Sequence, residues 1–262
     1  MIKTIDSNGM TMKYFRFGDP SAQPLVIIPG VALKSVMLSA QMIAAQYNTF
    51  SDIRNVYVFD RREDMPQEYT IYNMAEDTAK AMDELSIKNA DIYGVSQGGM
   101  IAQVIAAKRP DLVRRLVLCS TAPYIPDMSR KVLGDWINCS EKGDVLSLVM
   151  SFADNIYTKP YREKYHDAFV KFSELVTDEE LSRFLITVRG CEGFDIREQL
   201  DSIKCPVLVI GAEEDRIFGA EPSHDIAERT NGELYIYSGE AHGVYDENED
   251  VIRRLKAFLC QQ

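Results

Sequence analysis

Short apolar runs rich in Val, Ile and Leu alternate along this chain with longer segments of helical spacing, and no other feature limits its fold as strongly. The runs are Leu25 to Ile28, Val56 to Phe59, Asp91 to Tyr93, Leu116 to Cys119, Val207 to Ile210 and Glu233 to Tyr237. Strands apolar at consecutive positions are buried on both faces, and helices packed outside a sheet bury them that way. Between the runs, Ile71, Met74, Ala75, Thr78, Met82 and Leu85 recur at helical intervals, as do Met100, Ile101, Val104 and Ile105. The reading is an α/β fold. Ile2 to Ile5 and Thr11 to Phe17, joined through Asn8-Gly9, instead suggest an antiparallel hairpin at the sheet edge.

The rhythm breaks between about Tyr124 and Gln199, where aromatics such as Trp136, Phe152, Tyr157 and Phe184 crowd in and no strand pattern is present. Thr177-Asp178-Glu179-Glu180 fits a capping box and marks a helix start there. Residues 1–122 and 200–262 therefore read as a core domain and 123–199 as a helical insertion. Most of its aromatics should pack it onto the core, with a few lining a pocket.

With 262 residues, the chain is long enough for one large core plus a small accessory unit. A formal charge of −11 repels phosphate backbones and anionic lipid head groups, which argues against nucleic-acid and membrane partners. No segment approaches the roughly 20 apolar residues a membrane span needs, and MIKTIDSNGMTMKYF has no apolar run after its lysine. The expected setting is cytoplasmic. Cys119, Cys139, Cys191, Cys205 and Cys260 are odd in number, scattered and without a C-x-x-C pair, so reduced and mostly buried thiols are expected rather than a metal site or disulfide framework. No cofactor is indicated. The sequence is compatible with a homodimer but does not specify one.

The chemistry is carried by Gly94-Val95-Ser96-Gln97-Gly98-Gly99-Met100. A G-x-S-x-G pattern alone arises by chance in a chain of this length roughly one time in ten. Here the serine follows strand-like Ala90 to Tyr93 and opens the helical segment Gln97 to Ala107. That order suits a nucleophile elbow, in which small residues such as Gly94 and Gly98 let the backbone turn sharply and present the hydroxyl. The helix N-terminus favours developing negative charge, and the Gln97 backbone N–H can face an oxyanion.

A serine hydroxyl needs a base. His166 lies within an amphipathic helical pattern and His224 in the first turns of another, so both read as structural or surface residues. His242 lies in Glu240-Ala241-His242-Gly243, a loop directly after the last strand, where functional loops gather in open α/β folds. For the orienting acid, Cys205 to Asp215 offers a strand followed by an acidic loop; Asp215 is preferred, with Glu213 and Glu214 as alternatives.

LVIIPG, VYVFDRR, IYGVSQGGMIAQVIAAKRPDLVRRLVL, IREQLDSIKCPVLVIGAEEDRIF and GEAHGVY, in that order over nearly the whole chain, resemble the α/β-hydrolase family. The resemblance implies a doubly wound, mostly parallel sheet with a helical cap. It makes Ser96 the nucleophile, His242 the base and Asp215 the acid, with the backbone N–H groups of Val31 and Gln97 as the oxyanion hole. Two departures stand out: Pro29-Gly30 replaces the common His-Gly, and Asp60-Arg61-Arg62-Glu63-Asp64-Met65-Pro66 replaces D-x-R-G-x-G-x-S.

The activity implied is hydrolysis of a small-molecule carboxylic ester, lactone or thioester through an acyl-enzyme. A serine rather than an aspartate at the elbow argues against the haloalkane dehalogenase and epoxide hydrolase branches, and the lack of His-Gly-Gly-Pro-Gly against proline iminopeptidases. A carbon–carbon bond hydrolase with the same triad, or a ligand receptor built on the same scaffold, are the alternatives. Arg61, Arg62 and Arg189 are candidates to pair with a substrate carboxylate, although arginines near a sheet edge are more often in surface ion pairs. Spacing does not say which of Trp136, Tyr157 or Phe184 faces Ser96.

Overall fold

The computed structural model describes residues 2–7 and 9–261. Among them, eight strands form one sheet in the order β1-β2-β4-β3-β5-β6-β7-β8. These are β1 (Ile2–Ser7), β2 (Met10–Gly18), β3 (Pro24–Ile28), β4 (Asn55–Arg62), β5 (Ala90–Val95), β6 (Val113–Cys119), β7 (Val207–Ala212) and β8 (Glu233–Tyr237). β1, β2 and β4 pair antiparallel, and every pairing from β4 through β3 to β8 is parallel. The sheet is therefore doubly wound and mostly parallel. The hairpin forms at the edge with Gly9 at φ +77°; Asn8, the other turn residue expected, lies outside the described residues.

The apolar runs are buried on both sides because alternate residues face two separate cores. Val26, Ile28, Ile92, Leu116, Leu118 and Val209 join one core, against α2 (Ile71–Glu84), α3 (Gln97–Lys108) and α8 (Glu221–Thr230). Leu25, Ile27, Tyr93, Val117, Leu208 and Ile210 join the other, under α1 (Ala40–Gln46) and α10 (Asp250–Leu259). At the amino end of β5, buried Asp91 accepts hydrogen bonds from Arg54 Nε at 3.0 Å and from Arg114 Nε at 2.9 Å and Nη2 at 2.6 Å.

Strand order reverses at β3, with β4 on one side and β5 on the other, and open α/β sheets place their sites in the crevice outside such a reversal. Over this crevice, between β6 and β7, the chain inserts α4 (Asp127–Glu141), α5 (Val145–Ile156), α6 (Lys159–Ser173) and α7 (Asp178–Arg189). The capping box expected at the start of α7 is present, Thr177 Oγ1 accepting from Glu180 N at 3.2 Å and Glu180 Oε2 from Thr177 N at 2.9 Å. Trp136 and Phe152 pack with ring centroids 4.8 Å apart, and Phe184 closes the cluster. An isolated bridge between Tyr124 and Asp195 ties the two ends of the insertion together. Among the described residues, no helix is long and apolar enough to cross a membrane.

Candidate active site

Ser96 sits between β5 and α3 with φ 52° and ψ −121°, a conformation that costs a non-glycine residue about 1–3 kcal/mol. Its surroundings hold it there: Ser96 N donates to Cys119 O at 2.9 Å, and Ser96 O accepts from Gly99 N at 2.9 Å and Thr121 Oγ1 at 2.7 Å. The glycines are steric necessities. A Cβ on Gly98 would lie 1.9 Å from the Ile28 carbonyl oxygen, and one on Gly94 would lie 2.6 Å from that of Gly98. The turn that presents the hydroxyl is thus set by packing between the ends of β3, β5 and the first turn of α3.

Three consecutive acids follow β7, and burial separates them. Glu213 and Glu214 are exposed, while Asp215 is buried and its Oδ1 accepts from the backbone N–H groups of Ile217 at 2.8 Å and Phe218 at 3.0 Å. Its Oδ2 faces His242 Nδ1 at 2.8 Å, and His242 Nε2 lies 3.0 Å from Ser96 Oγ. A carboxylate only accepts, so Nδ1 carries the proton and Nε2 is left to accept from the serine. Ser96, Asp215 and His242 are 7%, 5% and 1% exposed, which makes a dry line of three groups drawn from three loops. An imidazole so held can take the hydroxyl proton while the carboxylate stabilises the imidazolium that results.

The hydroxyl opens into a small, mostly apolar recess. Gly30, Val31 and Gln97 form one wall, Trp136, Phe152 and Ile156 the helical roof, and Phe218, His242 and Tyr245 the far side. Among the described residues, neither the Val31 nor the Gln97 backbone N–H donates to a protein acceptor. The indole Nε1 of Trp136 is likewise buried without a partner among them. Trp136 lines the recess, Phe184 packs against it outside that lining, and Tyr157 pairs its hydroxyl with Asp246 at 3.3 Å. Phe218 and Tyr245 pack around His242, tilted and edge-on, at 5.4 and 6.3 Å between centroids. Each lies three residues beyond a buried polar residue of the line, Asp215 and His242, a signal that spacing could have supplied.

The arginines divide sharply. Arg189 pairs with Glu141 on the surface, far from a substrate role, and Arg62 is held by Asp64 and by Asp77 at 3.3 Å. Arg61 departs from the surface ion pair expected of it: β4 continues through Arg62, in register with Met12 of β2, and this buries Arg61 to 7% exposure. Its Nη2 donates to Pro29 O at 2.8 Å and Gln97 Oε1 at 3.1 Å, and burial pushes the guanidinium below its usual range. Gln97 in turn donates from Nε2 to Thr187 O at 2.7 Å and Cys191 Sγ at 3.3 Å, joining the core to the insertion. His166 and His224 are exposed on α6 and α8. Cys119 and Cys191 are buried, Cys139 and Cys205 partly so, and Cys260 is exposed, all as free thiols. Among the described residues, no group of three or more His, Cys, Asp or Glu side chains is placed to hold a metal ion.

A sequence model of the alpha/beta hydrolase fold matches residues 24–249. A putative carbamate hydrolase, RutD, of Agrobacterium fabrum is 25% identical over 224 residues, covering 82% of this chain and 86% of its own. Two solved structures share the fold: an alpha/beta hydrolase enzyme, MGS-M2, from a deep-sea metagenome library of the Medee basin, and the enol-lactonase of Burkholderia xenovorans. The first has a TM-score of 0.89 at 22% identity, covering 99% of this chain and 98% of its own. The second has a TM-score of 0.86 at 20% identity, covering 99% and 100%.

Proposed function

The chain belongs to the α/β-hydrolase fold family, and from that premise we propose that it is a serine hydrolase cleaving a small carboxylic ester, lactone or thioester through an acyl-enzyme. The observation that carries this reading is the unbroken hydrogen-bonded line from Asp215 through His242 to Ser96, at 2.8 and 3.0 Å. Ser96 Oγ attacks the acyl carbon as His242 Nε2 takes its proton, and the Val31 and Gln97 N–H groups receive the oxyanion. His242 then returns the proton to the departing oxygen or sulfur, which leaves Ser96 acylated. Water, deprotonated by the same imidazole, releases the acid and restores the serine.

The apolar roof of Trp136, Phe152 and Ile156 favours a substrate with an apolar part. In this reading residues 123–199 act as the cap. The name of the similar Agrobacterium protein, a putative carbamate hydrolase, supports attack at an acyl carbon. The test is turnover of short-chain p-nitrophenyl esters and simple lactones by wild type and Ser96→Ala. Loss of a triad nucleophile costs on the order of 10⁴-fold or more in kcat. Equal activity in the two proteins would sink the reading.

A further inference from the structure

Arg61 is a buried cation without an acid. A guanidinium stays ionised in proteins, and a buried charge is normally matched by an opposite one. Among the described residues no carboxylate lies within ion-pair distance of it. Its two acceptors, the Pro29 carbonyl and the Gln97 side-chain oxygen, are neutral, its Nη1 has no described partner, and its Nε is buried with none. Asp60, the neighbouring acid, favours the charge through space but does not bond it: one oxygen accepts from Ser35 Oγ and the other from the Arg61 backbone N–H.

Arg61 lines a second, small recess between the loop after β3 and helix α7. Its charged lining residues are Lys34, Asp60, Arg61, Glu180 and Arg183. Lys34 and Glu180 cancel as a pair at 2.8 Å. Arg183 donates to the backbone carbonyls of Glu63 at 2.6 Å and Arg62 at 3.2 Å, and so keeps its charge uncompensated. Three cations against two acids leave a local balance of +1, in a chain whose total is −11. Gly30, Val31 and Gln97 border both this recess and the apolar one that holds Ser96, so the two recesses share a wall beside the hydroxyl.

We propose that the second recess is a carboxylate subsite, in which Arg61 binds an acid group on the substrate while the scissile acyl carbon sits at Ser96 and the apolar part lies under Trp136. This deepens the hydrolase reading above and rests on it for the position of the scissile bond. The carboxylate supplies the counter-ion the fold omits, and its two oxygens match the forked donors of a guanidinium. Arg183 adds charge at the rim. The class of substrate is then a half-ester, or a lactone bearing a free acid.

The experiment compares matched esters in two pairs: mono-(4-nitrophenyl) glutarate against its methyl-capped form, and 4-acetoxybenzoate against its methyl ester. Wild type is expected to favour the acid in at least one pair by about tenfold or more in kcat/KM, mostly through KM, as befits a charged hydrogen bond. Arg61→Met should bring that ratio to within about threefold of unity, whatever happens to the neutral rate, while Arg61→Lys retains part of it. Glutarate binding to Ser96→Ala, measured by calorimetry, gives a readout that needs no turnover. Glutarate that binds there and is lost in Ser96→Ala/Arg61→Met supports the subsite even if no ester is cleaved, in which case the hydrolase reading alone has failed. Neutral and acidic esters cleaved equally by wild type, with no glutarate bound, would overturn the subsite and leave the hydrolase reading standing. A preference that survives Arg61→Met would overturn it too. Should Arg61→Met fail to fold, the wild-type ratio, Arg61→Lys and a loss of about twofold in Arg183→Gln decide the matter.

Discussion

Strand β4 is bracketed by two buried arginines that the fold treats in opposite ways. Arg54, at its amino end, meets Asp91, which also receives Arg114, and its Nη2 reaches the Leu259 carbonyl at 2.5 Å. Arg61, at its carboxyl end, meets only neutral oxygens. The two are 8% and 7% exposed, so burial does not distinguish them; charge matching does. At the amino ends of the strands the buried guanidinium is bonded directly to a carboxylate of the fold. The carboxyl ends border the recesses, and there the charge is left open. A buried arginine bonded to its own acid marks a place built for stability, and one left with neutral oxygens alone marks a place built for something else to complete.

The sharpest way to break this contrast is at the site itself. Asp215→Asn preserves the shape of the line but disfavours the tautomer that His242 needs, so kcat should fall on the order of 10⁴-fold with little change in the unfolding midpoint. Steady-state kinetics on one ester checks this, and a loss under tenfold would show that Asp215 does not orient the imidazole. At the opposite end, Asp91→Ala strands Arg54 and part-buried Arg114 and should cost about 3–5 kcal/mol in urea unfolding. If Asp91→Ala unfolds like wild type, the cluster is not the structural half of the comparison. Smallest is the effect of Arg61→Met on stability. Removing an unmatched buried charge offsets the loss of donors to Pro29 O and Gln97 Oε1, so unfolding should stay within about 1.5 kcal/mol of wild type. A destabilisation as large as that of Asp91→Ala would place the two arginines in one class.

The sheet was legible because both faces of each strand are apolar: Leu25 and Val26 face different cores, and a run without polar interruption is what that requires. The sharp turn at Ser96 was legible because Gly94 and Gly98 leave a sequence trace of a steric demand. The choice among Glu213, Glu214 and Asp215 was not fixed by spacing; it follows from the chain turning after Ala212 so that the third acid points inward onto the N–H groups of Ile217 and Phe218. Arg61 was hidden for a different reason. Asp60-Arg61-Arg62-Glu63-Asp64 reads as a solvated charge run, and only the pairing of Arg62 with Met12 draws Arg61 into the interior. The roof over Ser96 was equally out of reach, since Trp136, Phe152 and Phe184 come together from three helices whose mutual placement is long-range.

Gln97 follows Ser96 directly, yet its side chain is bonded to Thr187 and Cys191 across the gap between core and insertion. The helical roof is therefore not a detachable module. An engineer who grafts a different roof onto this core in search of new substrates must also supply acceptors for the Gln97 amide, because an orphaned amide there would disturb the backbone next to the serine. Variation in this lineage should accordingly be easier in the rings that line the roof than in the segment, 187 to 191, by which the roof is fastened.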